Sequence, residues 1–576
     1  MAEIDTMEAG NGGLDYGPPS MKSSPPKVMV MSSAYAPLRR AQFRWLWIAS
    51  LASNIGTWMQ NVGAAWLMTE LSASVMMVAL VQAATNLPFF VLAVPAGALA
   101  DIGDRRRVLL IAQGWMLAVA VVLSGLTFAG LMTPWLLLTM TFLLGLGSAL
   151  NAPAWQASTP ELVPREEIPA AVALGGVSMN VARAVGPALG GLVVAAVGPG
   201  ATFLLNAVSF VGVLFVLAQW KCSKDLSALP AERLAGAMQA GLRFVLHAPP
   251  FQAVLVRATA FVLGASSLLA LLPVVMKQDA SLGPAHYGIL LGCFGAGAAI
   301  TVLVLPVLVR SLNADRTVTA ATLALSVVTL TIAWLPYYLL WCVVLVFGGA
   351  AWLAALTRLN ASAQATVPRW VRARALAFYL LVFFGGMAGG SVVWGFAAER
   401  VGPALALTAS ATCLLVGLMA AVWFQLSEGE SGDLEPSRHW PEMPAMPGLG
   451  NDCGPVLVTV EYHIDPHTVQ EFMAAIKPLG MARLRDGAMW WDVFHDVSDP
   501  TRVIEVFMVG SLVDHLRQHE RVTEADRTVQ EQVGAFHRAD TPPLVTHLIA
   551  GILRASESVL STPTTQVSIQ PSGHLL

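Results

Sequence analysis

The sequence predicts an all-α membrane protein of twelve transmembrane helices in two six-helix halves, followed by a C-terminal α+β soluble domain of ferredoxin-like order. Three observations carry this reading. The 576-residue chain is 56% hydrophobic and only 12% charged, with a mean hydropathy of +0.64, against roughly 25% charged residues in an ordinary soluble domain. Part of the apolar sequence recurs 204 positions later: Val163-Pro164-Arg165 as Val367-Pro368-Arg369, Gly186 as Gly390, Gly191 as Gly395, and Val197-Gly198-Pro199 as Val401-Gly402-Pro403. So constant an offset marks a duplicated helical unit. Past about residue 427 the sequence turns polar, and nine of the eleven histidines lie there.

The elements follow in order. Residues 1–40 are rich in Gly, Pro and Ser, lack a contiguous apolar run and end in Arg39-Arg40, so they are expected to be a disordered cytoplasmic tail and not a signal peptide. Apolar runs of about 20 residues, the length a bilayer span requires, lie near 45–68, 76–100, 108–130, 134–157, 170–196 and 201–219, and again near 251–275, 285–310, 317–336, 339–361, 374–397 and 403–425. They divide the membrane part into halves at 41–220 and 251–426. In the linker 221–250, Leu234, Met238, Leu242, Val245 and Leu246 recur at helical spacing. This fits an amphipathic helix on the cytoplasmic leaflet or an ordinary packed linker helix. A Pro/Met-rich linker, 427–453, leads to a domain at 454–550 with strands at 456–462, 489–497, 503–509 and 544–549 and helices at 466–482 and 511–533. That is the β-α-β-β-α-β order. Residues 551–576 are expected to be a disordered tail.

Orientation follows from the basic residues of the short loops. Arg105-Arg106-Arg107, Arg165, Lys221, Lys224, Arg310, Arg316, Arg369, Arg372 and Arg374 all fall on one side of a twelve-span chain, whereas the opposite loops hold little beyond Lys277 and Arg400. The basic side is therefore expected to be cytoplasmic, with both termini on it.

Two motifs point to mechanism. The loop after the second span reads Gly97-Ala98-Leu99-Ala100-Asp101-Ile102-Gly103-Asp104-Arg105-Arg106-Arg107, and the fifth span contains Gly186-Pro187-Ala188-Leu189-Gly190-Gly191. On these residues the chain, over roughly 40–425, resembles the major facilitator superfamily. The loop departs from the superfamily pattern where Asp104 stands in place of the second glycine. The resemblance implies that Asp101, with Arg105 and Arg106, forms a cytoplasmic latch against a helix N-terminus of the other half, expected at the eleventh span near Arg372 and Arg374. A carboxylate there gains about 0.3–1 kcal/mol from the helix dipole. Charges that only enforce topology are the alternative. The glycine-proline motif is similar to the signature of exporters and antiporters. Gly186 and Gly190 form a small-residue face expected to meet Gly288, Gly292 and Gly295 of the eighth span, either as a sliding seal or as static packing.

Arg183 and Arg358 lie within spans, where an unpaired arginine costs at least about 2.5–3.5 kcal/mol at the bilayer centre. They are expected to face a cavity with polar neighbours such as Asn54, Asn151 and Gln156. Two such arginines favour an anionic or catecholate-like substrate, with Trp66, Trp155, Trp352 and Trp394 as possible stacking surface; packing is the commoner role for such residues. Arg257 either behaves similarly or snorkels. No acidic residue falls securely in mid-span, so no coupling residue is identified; His286 is a candidate proton carrier. No nucleotide phosphate loop occurs, which argues against an ATP-driven pump, and no basic patch supports nucleic-acid binding.

The tail, with Trp490 and Trp491 side by side and the run Asp514-His515-Leu516-Arg517-Gln518-His519-Glu520-Arg521-Val522-Thr523, resembles the small dimeric α/β-barrel domains of the antibiotic-biosynthesis monooxygenase type. With the twelve spans it is similar to the transmembrane secretion effectors, a subgroup related to enterobactin exporters. This implies efflux of a siderophore or drug from a bacterial inner membrane, by proton-coupled alternating access, and a homodimer through the tail. His515 and His519 sit one turn apart as metal ligands can, but no third ligand is placed among His463, His495 and His547, so no metal is assigned. No cofactor motif and no nucleophile appear. The expectation is a transporter and not an enzyme, with a ligand-sensing or cofactor-free enzymatic tail as the alternative.

Overall fold

The computed structural model describes residues 35–102, 104–220, 234–278, 282–368, 370–426, 434–437, 439–440, 453–539 and 541–550. Residues 1–34 of the expected N-terminal tail, the expected tail 551–576, residues 221–233 of the first linker and most of the second lie outside the described residues. In the first half run α1 (Ala41–Leu71), α2 (Val75–Ile102), α3 (Arg105–Phe128), α4 (Pro134–Leu162), α5 (Ile168–Val197) and α6 (Pro199–Gln219). After the connecting α7 (Leu234–His247) come α8 (Pro249–Lys277), α9 (Pro284–Ser311), α10 (Ala314–Trp334), α11 (Tyr338–Ala365), α12 (Arg372–Val401) and α13 (Pro403–Gly417), which the short α14 (Ala420–Trp423) extends. Among the described residues eleven helices are long and apolar enough to cross a membrane. The twelfth is α1, whose 31 residues include Asn54, Gln60 and Asn61. Two of these polar side chains bond to other helices: Asn54 reaches Ser178 of α5 at 3.4 Å, and Gln60 accepts a buried 2.6 Å hydrogen bond from Asn206 of α6.

The duplication is visible in the packing. A Cβ on Gly186 of α5 would lie 2.6 Å from Cβ of Trp58, on α1 of its own half, and the equivalent Gly390 of α12 abuts Ser266, on α8 of its own half. A Cβ on Gly191 would instead lie 2.8 Å from Cα of Gly288, on α9 of the other half; the equivalent Gly395 meets Ala79, on α2 of the other half, at 2.5 Å. The recurring Val-Gly-Pro also has a physical cause. Gly198 and Gly402 take φ of 93° and 87°, a left-handed conformation that costs glycine least, and their amides donate to Val194 and Ala398 to close α5 and α12.

At the chain start, the boundary expected at residue 40 is replaced by a short structured lead-in. Ala36–Arg39 form a 3-10 turn with Pro37 buried, and Arg40 makes a two-pronged contact with Glu167 at 3.0 and 3.1 Å.

The tail contains β1 (Val456–His463), α15 (Val469–Asp486), β2 (Ala488–His495), β3 (Arg502–Val509), α16 (Leu512–Arg521), α17 (Glu524–Gly534) and β4 (Leu544–Ile549). Its sheet has order β2-β3-β1-β4 with every pairing antiparallel. The single helix expected over 511–533 is two helices. Val522, in extended conformation, ends the first, and Thr523 caps the second in a reciprocal box with Asp526, which satisfies the amides that the new helix start leaves open. Alternate residues of β1, Val456, Val458, Val460 and Tyr462, are buried against Phe472 and Ile476 of α15. Trp491 turns inward and donates to Glu505 at 3.1 Å, while Trp490, Phe494, Leu544 and Leu548 leave the opposite sheet face exposed and apolar.

The helix α7 ties the two parts together. Its Phe244 is buried and meets Trp370 edge-on at 6.3 Å; Arg243 donates to the Gly487 carbonyl of the tail at 3.0 Å. It packs against both parts on one face, while Met238, Leu242 and Leu246, one stripe at helical spacing, are exposed.

Candidate functional site

The halves meet along two antiparallel helix pairs, α5 with α9 and α2 with α12. On α5 the residues facing α9 are Arg183, Ala184, Pro187, Ala188 and Gly191: a Cβ on Gly288 would lie 2.5 Å from the Pro187 carbonyl, one on Gly292 3.3 Å from Ala184, and one on Gly295 would collide with the Arg183 carbonyl. Positions 184, 187, 188 and 191 form one helical stripe. Gly186 and Gly190, expected there, lie on a neighbouring stripe and face α1, where a Cβ on Gly190 would lie 2.7 Å from Met59 Cα. Pro187 contributes its carbonyl to the cross-half contact.

Along α2 and α12 the pairing runs from Met76 against Gly395, through Phe90 against Gly385, with Phe89 and Phe384 stacked at 4.5 Å. Where α2 begins and α12 ends, the Met76 amide donates to the Glu399 carboxylate at 3.0 Å, and Ser74 Oγ lies 3.3 Å from the same oxygen. An acidic side chain of one half thus caps a helix of the other, with the charge on the favourable end of the dipole. Sequence reasoning missed Glu399, which reads as a loop residue beside Arg400 and lies 323 positions from Met76.

The expected latch residues divide. Asp101 falls in the last turn of α2, and its side chain lies outside the described residues. Asp104 caps α3 by accepting from the Arg107 amide. Arg105 opens α3, and Arg106 donates to the Leu217 and Ala218 carbonyls at 3.0 and 2.7 Å, fastening the end of α6 within its own half. The second half has a counterpart: Asp315, at the start of α10, pairs with buried Arg257 at 3.1 Å and accepts from the Leu426 amide beyond α14.

The two span arginines are separated. Arg183 stands mid-way along α5 with its guanidinium 5.7 Å from the Trp58 ring, and its buried Nη1 has no hydrogen-bond partner among the described residues. Arg358 instead donates to the Leu312 carbonyl and, at 3.5 Å, to Thr317, so it braces the connection between α9 and α10. Asn54 links α1 to α5 through Ser178 at 3.4 Å, Asn151 accepts from Gln113 at 3.1 Å, and Gln156 is exposed on α4. Trp352 sits among Phe261, Phe294 and Phe383; the indole N–H groups of Trp66 and Trp394 are held by Glu70 and the Leu263 carbonyl. His286 accepts from the Gly283 amide through Nδ1, and its ring meets Tyr338 edge-on.

The tail has a second polar centre between sheet and helices. Arg483 pairs with Glu505 at 3.1 Å, both buried, and lies over the rings of Trp440 and Phe507. Next to it are His515, His519 and His547, whose ligand-capable nitrogens lie within 4.8 Å of one another. Burial first, then the neighbouring His519, lowers His515 to about 4; burial and His547 do the same to His519; burial lowers His547. All three are therefore uncharged at neutral pH. The third histidine was legible in principle: β1 pairing puts His547 opposite Val458, on the inward register of the sheet.

The family model described as transmembrane secretion effector matches residues 32–556. Similar proteins include the staphyloferrin A transporter of Staphylococcus aureus (strain NCTC 8325 / PS 47), 27% identical over 46% of this chain and 66% of that protein. The enterobactin exporter EntS of Escherichia coli O1:K1 / APEC is 28% identical over 55% and 75%, and the macrolide efflux protein A of Streptococcus pyogenes is 25% identical over 30% and 42%. The matched region thus spans less than two thirds of the staphyloferrin and macrolide proteins. Among solved structures, a bacterial homolog of the human lysosomal transporter Spinster shares the fold with a TM-score of 0.53 at 13% identity, covering 67% of this chain and 98% of that one. The nucleoside transporter NupG does so with 0.51 at 14%, covering 67% and 99%.

Proposed function

The chain belongs to the transmembrane secretion effector family, and from that premise we propose that it is a secondary-active exporter of a small anionic molecule of siderophore or drug type. The cross-half pairing of α2 with α12 and α5 with α9 carries the reading. Glycines that pack on the home half (Gly186, Gly390) alternate with glycines that pack on the other half (Gly191, Gly395), so each half is tight internally, and along α5 and α9 it meets its partner over a smooth backbone surface. Such a surface separates without breaking side-chain interlocks.

In the proposed orientation, which the basic loops support, the start of α2 lies on the external side of a bacterial inner membrane and both termini lie in the cytoplasm. Glu399 on the α2 N-terminus and Gly191 on Gly288 then seal the external end, and the binding region faces the cytoplasm. Running the α2–α12 register onward from Phe90 and Gly385 brings the last turn of α2, with Asp101, level with the first turn of α12. The proposed cycle alternates two equivalent contacts: Glu399 on the N-terminus of α2 when the outside is closed, and Asp101 on the N-terminus of α12 when the inside is closed. Arg183, mid-span and with an unpaired nitrogen, is the proposed anchor for the anionic substrate, in keeping with relatives named for staphyloferrin A and enterobactin. Proton entry drives export.

The tail acts as a docked module and not as a catalyst. Arg521 of α16 lies 4.5 Å over Trp370, one residue from the turn that starts α12, so the tail bears on the gate helix. The exposed sheet face around Trp490 and Phe494 is the surface for a second copy, giving a homodimer. Everted, respiring membrane vesicles test the function. A labelled catecholate siderophore should accumulate, accumulation should collapse with a protonophore, and deletion of 427–576 should change the rate without abolishing it. Absence of accumulation of either a siderophore or a macrolide, with the protein verified in the membrane, would remove the exporter reading.

A further inference from the structure

We propose that His515, His519 and His547 bind a divalent late transition-metal ion, zinc being the best fit, with three imidazole ligands and one open position. The geometry of the first pair carries the inference. His515 and His519 sit one turn apart on α16 with their Nε2 atoms 3.3 Å apart. Two nitrogens on a tetrahedral zinc, each bonded at about 2.0–2.1 Å, are separated by about 3.3–3.4 Å. The helix therefore already holds the two donors at the spacing that the ion requires. His547 arrives from β4 with its ring 4.9 Å from His515, and a nitrogen spread within 4.8 Å closes with a shift of roughly 1.5 Å or less.

The surroundings are those of a held ligand set. His515 Nδ1 lies 3.2 Å from Gln518 Oε1; its N–H donates there and turns the Nε2 lone pair toward His519. Gln518 is fully buried, and its amide is fixed in turn by donation to the Arg483 carbonyl. A buried group that orients a metal-facing histidine is the usual outer support of such a site. The nearby cation, Arg483, is neutralised by Glu505 at 3.1 Å, so it does not oppose an incoming ion with a full charge. Trp440, held by donation to Gln530, stands edge-on to His519 at 4.8 Å and shields the cluster from the linker side. Three imidazole nitrogens suit zinc, cobalt, nickel or copper and not magnesium or calcium, which take oxygen.

The test uses the full chain in detergent, without a histidine tag, stripped by chelator and titrated with zinc chloride and, separately, cobalt chloride. One equivalent of zinc should bind per chain, and cobalt should give the visible absorption of a tetrahedral complex. His519→Gln and His547→Gln should each weaken zinc binding more than tenfold, Gln518→Leu about tenfold or more, and His495→Gln, on β2, should leave it unchanged. A wild-type chain without a tetrahedral cobalt spectrum overturns the site whatever the variants do. So does a loss of zinc in His495→Gln equal to that in His547→Gln.

Discussion

The Glu399 carboxylate, at the C-terminal end of α12, accepts a 3.0 Å hydrogen bond from the Met76 amide in the first turn of α2. It is a contact between halves, placed where the dipole of α2 adds to the hydrogen bond, and it closes the end of the bundle at which Gly191 also meets Gly288. Breaking it costs little, as the proposed gate requires. Glu399→Gln should weaken the closed end by about 0.3–1 kcal/mol, a roughly two- to fivefold shift in population. Distances between spin labels at the start of α2 and the end of α12 should show a larger open fraction; an unchanged distribution would contradict the assignment.

Gly191 and Gly190 are adjacent yet make opposite predictions. Gly191→Val thrusts a side chain into α9 of the other half and should abolish transport while leaving normal amounts of thermally stable protein in the membrane. Gly190→Leu drives into the Met59 backbone within one half and should lower the melting temperature and yield. Equal thermal stability in the two variants would show that the division between home and cross-half glycines is wrong.

Much of the fold was legible because apolar runs, loop charges and the 204-residue repeat are one-dimensional signals. The faces of α5 were less so. Gly186 and Gly190 form an obvious i, i+4 pair, but the surface facing α9 uses Gly191 and the backbone of Pro187, which a count of small residues does not reveal. Glu399 and Met76 are separated by too many residues for any local pattern. Arg358 looked like a cavity cation because its acceptor is a backbone carbonyl, at Leu312, and carbonyls carry no sequence signature. His547 needed the β1–β4 register, which places it among inward-facing residues.

Arg183 should control which substrates move. Arg183→Gln should raise the KM for an anionic siderophore tenfold or more, as expected on loss of about 1.4 kcal/mol or more from a charge-assisted contact, and should leave transport of a cationic dye within twofold. Parallel losses for both compounds would make Arg183 a packing residue. Lysine in its place should restore part of the anion affinity.

Acid should unfasten one end of the central β1–β3 pair of the tail in a defined direction. The hydrogen bond from Arg502 holds Glu461 below its ordinary value, and Asp496 is likewise held low, by the Ser498 amide and then by Arg502. Groups with lowered folded values contribute stability that is present above the unfolded value and lost as pH falls through the folded one. Hydrogen exchange in 502–509 of the full chain should therefore accelerate below about pH 4.5. Arg502→Gln should exchange faster at pH 7 and differ less from wild type at pH 3. A difference that grows on acidification would reverse the sign.

The most direct test of alternating access joins the sealed end covalently. In a cysteine-free background, Ser74→Cys and Glu399→Cys put two thiols across the start of α2 and the end of α12, where the native side chains lie 3.3 Å apart, for joining by a short, reducible thiol-to-thiol cross-linker. In everted vesicles, protonophore-sensitive accumulation of the siderophore should stop when the pair is cross-linked and return when the linker is reduced, with each single variant indifferent to both treatments. Accumulation that continues at full rate with the halves cross-linked would contradict a cycle in which this end must open.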